Sequence, residues 1–257
     1  IQPTPSNLVS CVELSPQWQT QFSNVHALTK GAHIWSDYAG VVEESPDWFQ
    51  PGADFIVHAL GMNGRKDYLR SFEDLAPQWV RTSDACAWRF GPWSINANWD
   101  FFRSVFTNYG IAYRDPLGVL WQRKTLRQSG TDGFREIAPD ADNCLTVPGD
   151  IDSMGELEVT YRTTPASSLP FIRDIPRYLL VPNVPGDASP IHRLPVSLPA
   201  ADPAQTWAIP FRLRPGASVR LCPVVSSRIG DASLTIIKAR YRTLDVDPRT
   251  LDYLNCN

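Results

Sequence analysis

The chain has 257 residues, 43% of them hydrophobic and 20% charged, enough to bury the core of one large domain or two ordinary ones. Its 24 basic and 27 acidic residues leave a net charge of -3. That excludes a surface built mainly to grip phosphate backbones, so no nucleic-acid partner is expected. No apolar run reaches the roughly 18 residues that a membrane helix needs. Ile1-Gln2-Pro3 opens without an initiator methionine or a signal-like segment, which reads as a processed chain or a piece of a longer protein.

Residues 1–130 read as a small α/β domain. A helix is expected over residues 15–29, with Ser15 as its cap and Pro16 in its first turn. Residues 31–35 form a short strand that runs into Ser36 and Asp37, which can cap a helix over 38–44 before Pro46 ends it. Residues 54–60 (DFIVHAL) are a near-continuous apolar run, as in a strand buried on both faces. A helix over 65–76 puts Tyr68, Leu69, Phe72 and Leu75 on one face, and a strand follows at 78–82. Residues 96–109 place Trp99, Phe102, Val105, Phe106 and Tyr109 at helical spacing. Two short strands then flank Asp115-Pro116 as a closing hairpin. Strand–helix alternation of this kind predicts a small, Rossmann-like, mostly parallel sheet with helices against it.

Residues 131–257 have a different grammar. Fifteen of the 23 prolines lie beyond residue 130, whereas Trp207 is the only tryptophan beyond Trp121. The polar, glycine-bearing stretch 128–133 is the expected joint. Strands are expected at 144–147, 155–162, 177–181, 192–198, 207–213, 218–225 and 232–244. Leu157, Val159 and Tyr161 alternate with Glu156, Glu158 and Thr160, the pattern of a strand with one buried face. The prolines within 207–213 and 218–225 push those strands toward edges or bulges. Seven or more short strands at this spacing predict a β-sandwich of the jelly-roll kind.

Residues that carry chemistry are sparse. There is no phosphate-binding glycine loop, no HExxH and no GxSxG, and His26, His33, His58 and His192 have no partner at ligand spacing. Asp37 falls at the carboxyl end of an expected parallel strand, where open sheets bind ligands. It is either a helix cap or a group that meets a sugar hydroxyl or a metal. The stretch from Asp84 to Trp99 carries Trp88, Phe90, Trp93 and Trp99, with the amides Asn96 and Asn98 between them. Flat rings beside amides suit a sugar, so Asp37, Trp88, Trp93, Asn96 and Asn98 are candidate sugar contacts; the alternative is a loop stapled down by its own aromatics. Asp140, Asp142, Asp150 and Asp152 offer oxygen ligands for a structural Ca2+, or are simply solvated turns. Cys11, Cys86, Cys144, Cys222 and Cys256 are scattered, with no zinc-like spacing. They are either buried thiols or disulfide partners, and bridges would put the chain outside the cytoplasm.

The order of segments is itself informative. Gly31-Ala-His-Ile-Trp-Ser-Asp-Tyr-Ala-Gly40, Ala53-Asp-Phe-Ile-Val-His-Ala-Leu60, Pro77-Gln-Trp-Val-Arg-Thr82, Asn98-Trp-Asp-Phe-Phe-Arg103 and Leu120-Trp-Gln-Arg-Lys124 follow one another in a way that resembles the extracytoplasmic C-terminal region of bacterial polytopic GT-C type glycosyltransferases. The β-sandwich beyond them is similar in kind to the carbohydrate-binding jelly rolls that end mycobacterial arabinofuranosyltransferases. The resemblance covers roughly residues 28–125 in segment order and only fold type after that. It implies an accessory domain attached to a membrane protein upstream, holding or orienting a cell-envelope glycan, with the catalytic acid in the membrane portion and no catalytic residue here. The alternatives are a self-contained carbohydrate-active hydrolase or transferase that uses Asp37, and a structural module for protein partners.

Overall fold

The architecture comes from a computed structural model, which describes residues 16–37, 48–49, 56, 61–84, 91–116, 118–125, 133–149, 151–164, 177–182, 192–194, 204–226 and 233–253. The described chain is mostly strand, arranged in three sheets, two of them wholly antiparallel. Its first part comprises α1 (Pro16–Thr29), β1 (Ile34–Ser36), β2 (Trp48–Phe49), α2 (Gly61–Leu75), β3 (Trp79–Ser83), α3 (Gly91–Ala97), α4 (Trp99–Asn108), β4 (Tyr109–Asp115) and β5 (Gly118–Arg123).

These strands form one sheet in the order β2-β1-β3-β5-β4. The sheet is mixed rather than mostly parallel: β1 runs parallel to β2 and β3, but β5 opposes both β3 and β4. The reason is the hairpin at Asp115-Pro116. A hairpin reverses the chain, so its two strands cannot both run parallel to the rest, and β5 is the one that reaches β3. The expected strand at 54–60 and the helix at 38–44 lie outside the described residues, apart from the buried Ile56.

Alternation sends the two faces of this sheet to different partners. Trp35, Val80, Val119 and Trp121 join Tyr68 and Phe72 of α2 and the aromatic face of α4 in one core. Ile34, Trp79 and Leu120 point the other way, onto Val25 and Phe22 of α1. The expected apolar face of α2 is narrower than its spacing suggests, because Tyr68 and Phe72 are buried whereas Leu75 is 52% exposed. The expected helix over 96–109 breaks at Asn98 into α3 and α4. Its predicted face holds over α4, where Trp99, Phe102, Val105 and Phe106 are all buried, while Tyr109, also buried, already opens β4. Edge-to-face packing organises these rings: Phe72 meets Phe101 at 4.9 Å and Trp121 meets Tyr253 at 5.4 Å between centroids.

The second part contains β6 (Arg135–Ile137), β7 (Leu145–Pro148), β8 (Ser153–Thr164), β9 (Arg177–Pro182), β10 (His192–Leu194), β11 (Gln205–Leu213), β12 (Ser218–Ser226), β13 (Ser233–Leu244) and α5 (Pro248–Tyr253). Two four-stranded antiparallel sheets result, β10-β9-β12-β7 and β11-β8-β13-β6. Leu157, Val159 and Tyr161 of β8 face the same core as Leu145, Val147, Leu180 and Leu221 of the other sheet. Gly155 is required beneath the Phe211 ring, because a Cβ there would run into it. Pro210 lies in β11, an edge strand, as expected. Pro223 lies in β12, which is internal, but the ladder with β7 stops at Leu221. Among the described residues β12 therefore pairs with β9 alone at Pro223 and is locally an edge strand there.

Cys144, immediately before β7, and Cys222 of β12 form a disulfide, closing a separation of 78 residues. On the loop-entropy model a closure of that size is worth about 4.5 kcal/mol. The Cys144→Ser/Cys222→Ser double variant is expected to lose roughly 3–5 kcal/mol in urea unfolding under oxidising conditions. An unchanged midpoint would show that the bridge contributes nothing.

The two parts share one apolar core. Met154, Leu244, Leu251 and Tyr253 pack into the same cluster as Trp35, Phe106 and Trp121. Over that contact lies a charged clamp. Glu156 of β8 is 1% exposed and receives Arg103 Nη1 of α4 at 2.5 Å and Arg242 Nη2 of β13 at 2.6 Å. The Arg242 guanidinium also stacks on Phe134, as does that of Arg240, at 4.5 and 4.3 Å. Removing one member of a buried ionic set leaves the others uncompensated. Glu156→Gln is therefore expected to cost roughly 3–5 kcal/mol, read from the denaturant midpoint. A loss below about 1 kcal/mol would place the clamp among ordinary surface pairs.

Candidate functional site

The carboxyl edge of the mixed sheet gathers charge from adjacent strands. Asp37 follows β1 and Asp84 follows β3, and these two strands run parallel with Ser36 opposite Arg81. Asp37 is buried and accepts the Ser83 N–H on both carboxylate oxygens, at 3.0 and 3.1 Å, with the Ser83 hydroxyl at 3.4 Å. Tyr253 of α5 donates its hydroxyl to the Ser83 carbonyl at 2.6 Å. Asp84 takes Arg114 Nε at 2.7 Å and Nη2 at 3.2 Å. On the opposite face, Arg81 Nη2 reaches Asp115 Oδ1 at 2.6 Å, and the same oxygen accepts the Gly118 N–H, which tightens the hairpin.

Burial pushes the Asp37 carboxyl up to about 7, against the lowering pull of the Ser83 bonds and the Arg81 charge. Burial also raises the Tyr68 and Tyr253 phenols, with Asp37 adding to both shifts, so these hydroxyls remain proton donors. A carboxyl that holds its proton near neutrality can exchange one with a ligand. At 4% exposure, though, it is reached only through its neighbours.

The folded chain binds the Asp37 proton more tightly than the unfolded chain, where a carboxylate titrates near 4. The stability this group contributes is therefore complete below about pH 4 and is lost as pH rises to about 7. Asp37→Asn should remove that part of the slope and leave the chain roughly 2–4 kcal/mol more stable than wild type at pH 8, relative to their difference at pH 4. Parallel stability curves for the two proteins between those limits would contradict the buried-acid assignment.

The other sequence candidates lie in different settings. Trp88, Cys11, Cys86, Cys256 and Asp150 lie outside the described residues, and Trp93 lies on α3. Asn96 is half-buried, and Asn98 is buried at the break between α3 and α4. The Asn98 side-chain amide donates to the Ser94 carbonyl at 3.2 Å, and the Asn98 backbone carbonyl accepts the Phe101 and Phe102 N–H groups. No hydrogen bond joins Asp37 to Asn96 or Asn98. Trp99, expected in the same aromatic surface, is 2% exposed and belongs to the core.

Of the aspartates considered for calcium, Asp140 and Asp142 both bind Arg220, and Asp152 binds Arg212 through two bonds of 3.0 Å. The Arg220 bond, helped by the Cys144 and Asp142 N–H groups that Asp140 also accepts, holds its carboxyl below the usual range. Among the described residues no group of three His, Cys, Asp or Glu side chains gathers to hold a metal ion. No helix among them is long and apolar enough to cross a membrane.

Sequence reasoning missed Ser83, Arg114, Arg81, Tyr68 and Tyr253 as members of this edge. Their only local signal was position, since Arg81 and Ser83 lie near the end of a strand already expected at 78–82. No family model, no curated protein and no solved structure matches the chain.

Proposed function

We propose that this chain is an extracytoplasmic, non-catalytic module of a membrane glycosyltransferase-like protein, and that it holds or orients a glycan of the cell envelope. The observation that carries this reading is the order of strands in the second part. Taking β6 to β13 in chain order, one sheet uses the first, eighth, third and sixth strands and the other the second, seventh, fourth and fifth. That order supports reading this part as a jelly roll, two Greek keys folded over one core, an architecture that recurs in lectin domains. The Cys144–Cys222 bridge supports an oxidising compartment. Fold alone does not set function, so the reading stands or falls on binding. Titration calorimetry with short arabinose, mannose and glucose oligosaccharides is expected to give heats that saturate at millimolar ligand or below. Flat titrations with every sugar would remove the glycan from the proposal.

A second reading rests on Asp37 alone. A buried carboxyl whose proton is held up to about 7 has the acidity of a general acid. On that reading the isolated chain hydrolyses nitrophenyl glycosides, and Asp37→Asn abolishes the turnover. A chain inert toward these substrates leaves Asp37 as a structural acid.

A further inference from the structure

The last described helix, α5, lands on the sheet edge where Asp37 lies. The Asp37 N–H continues the β1–β3 ladder to the Arg81 carbonyl at 3.1 Å. Ile34 faces α1 and Trp35 the aromatic core, so Asp37, two residues after Trp35, faces the core side, as Thr82 does two residues after Val80. Tyr253 packs on that same face, its ring 5.4 Å from Trp121 and 5.7 Å from Phe106. Its hydroxyl donates to the Ser83 carbonyl at 2.6 Å and lies 3.5 Å from the Thr82 hydroxyl. Ser83 is also the residue whose N–H Asp37 accepts. One residue of β3 therefore carries both the buried acid and the anchor of α5.

The groups around Asp37 come from four elements. Tyr68 of α2 and Tyr253 of α5 are phenols that burial keeps neutral. Arg81 and Asp84 come from β3 and its end, and Arg114 and Asp115 from β4. Arg81 is held by Asp115 and Arg114 by Asp84, and among the described residues no cation forms an ion pair with Asp37. An ionised Asp37 is thus opposed by burial, and contact with water relieves it. α5 is the element placed to give way. It has six residues, too few to hold a helix by itself, and the buried Thr250 hydroxyl has no hydrogen-bond partner, which weakens the docked state.

We propose that α5 is a pH-sensitive strap, docked over the sheet edge while Asp37 carries its proton and loosened when Asp37 ionises. The docked state binds the proton more tightly than the open one, so docking is fully supported below about pH 4 and loses that support as pH rises to about 7. The strap requires neither a glycan nor a reaction at this edge, so its test is separate from both readings above.

Amide hydrogen exchange of the intact, disulfide-bonded chain, corrected for the intrinsic base-catalysed rate, measures the opening. The α5 amides are expected to exchange faster than those of β8 at pH 5 and at pH 7, and their corrected rate to rise roughly tenfold or more between the two. Asp37→Asn keeps an oxygen for the Ser83 N–H and cannot ionise, and it is expected to abolish the rise; thermal melting confirms its folding. Exchange of α5 no faster than β8 would show that α5 opens only with the whole chain and would overturn the strap. A flat profile in wild type, or a rise that persists in Asp37→Asn, would overturn it too. Should the variant fail to fold, the wild-type comparison decides alone.

Discussion

Glu156 sits between two guanidinium groups where water does not reach it, and the joining of the two layers depends on that arrangement. Arg103 comes from the helix layer of the mixed sheet and Arg242 from the neighbouring antiparallel strand, so one carboxylate ties three elements. A buried charge is tolerated only when its oxygens are satisfied, and here both are. The apolar contact beneath it, from Met154 and Leu244 to Phe106 and Trp121, is non-directional. The clamp adds direction, fixing how α4 lies across the sheet.

The chain's preference for arginine has a structural counterpart. Only four of its 24 basic residues are lysines. Arg114 grips Asp84 with two nitrogens, Arg212 does the same to Asp152, and Arg240 and Arg242 both lie over the Phe134 ring. Lysine can neither form a planar fork nor stack in this way. These pairs consume much of the described charge internally, which explains why the acidic turns at Asp140, Asp142 and Asp152 hold arginines.

Much of the fold was legible because it is written locally. The alternation of Leu157, Val159 and Tyr161 predicted the buried face of β8, and the spacing from Trp99 to Phe106 predicted the buried face of α4. What failed was short or non-local. β2 has two residues, β6 three and α5 six, too few for any period to register. The break at Asn98 is invisible to a pattern that continues on both sides of it. Glu156 read as a solvent-facing residue of an alternating strand, because only the arrival of α4 buries it. Asp37 was legible as a helix cap or a ligand group, but its bond to Ser83 was not, because Ser83 lies 46 positions away. The pairing of Cys144 with Cys222 follows from the register of β7 and β12, which spacing alone cannot supply.

A contact that is both clamped and shared by one core makes the two layers a single cooperative unit. Scanning calorimetry of the intact, disulfide-bonded chain tests this directly. One transition, with calorimetric and van't Hoff enthalpies equal, is the expected result. Two separable transitions, with the mixed-sheet layer melting independently of the antiparallel sheets, would contradict it.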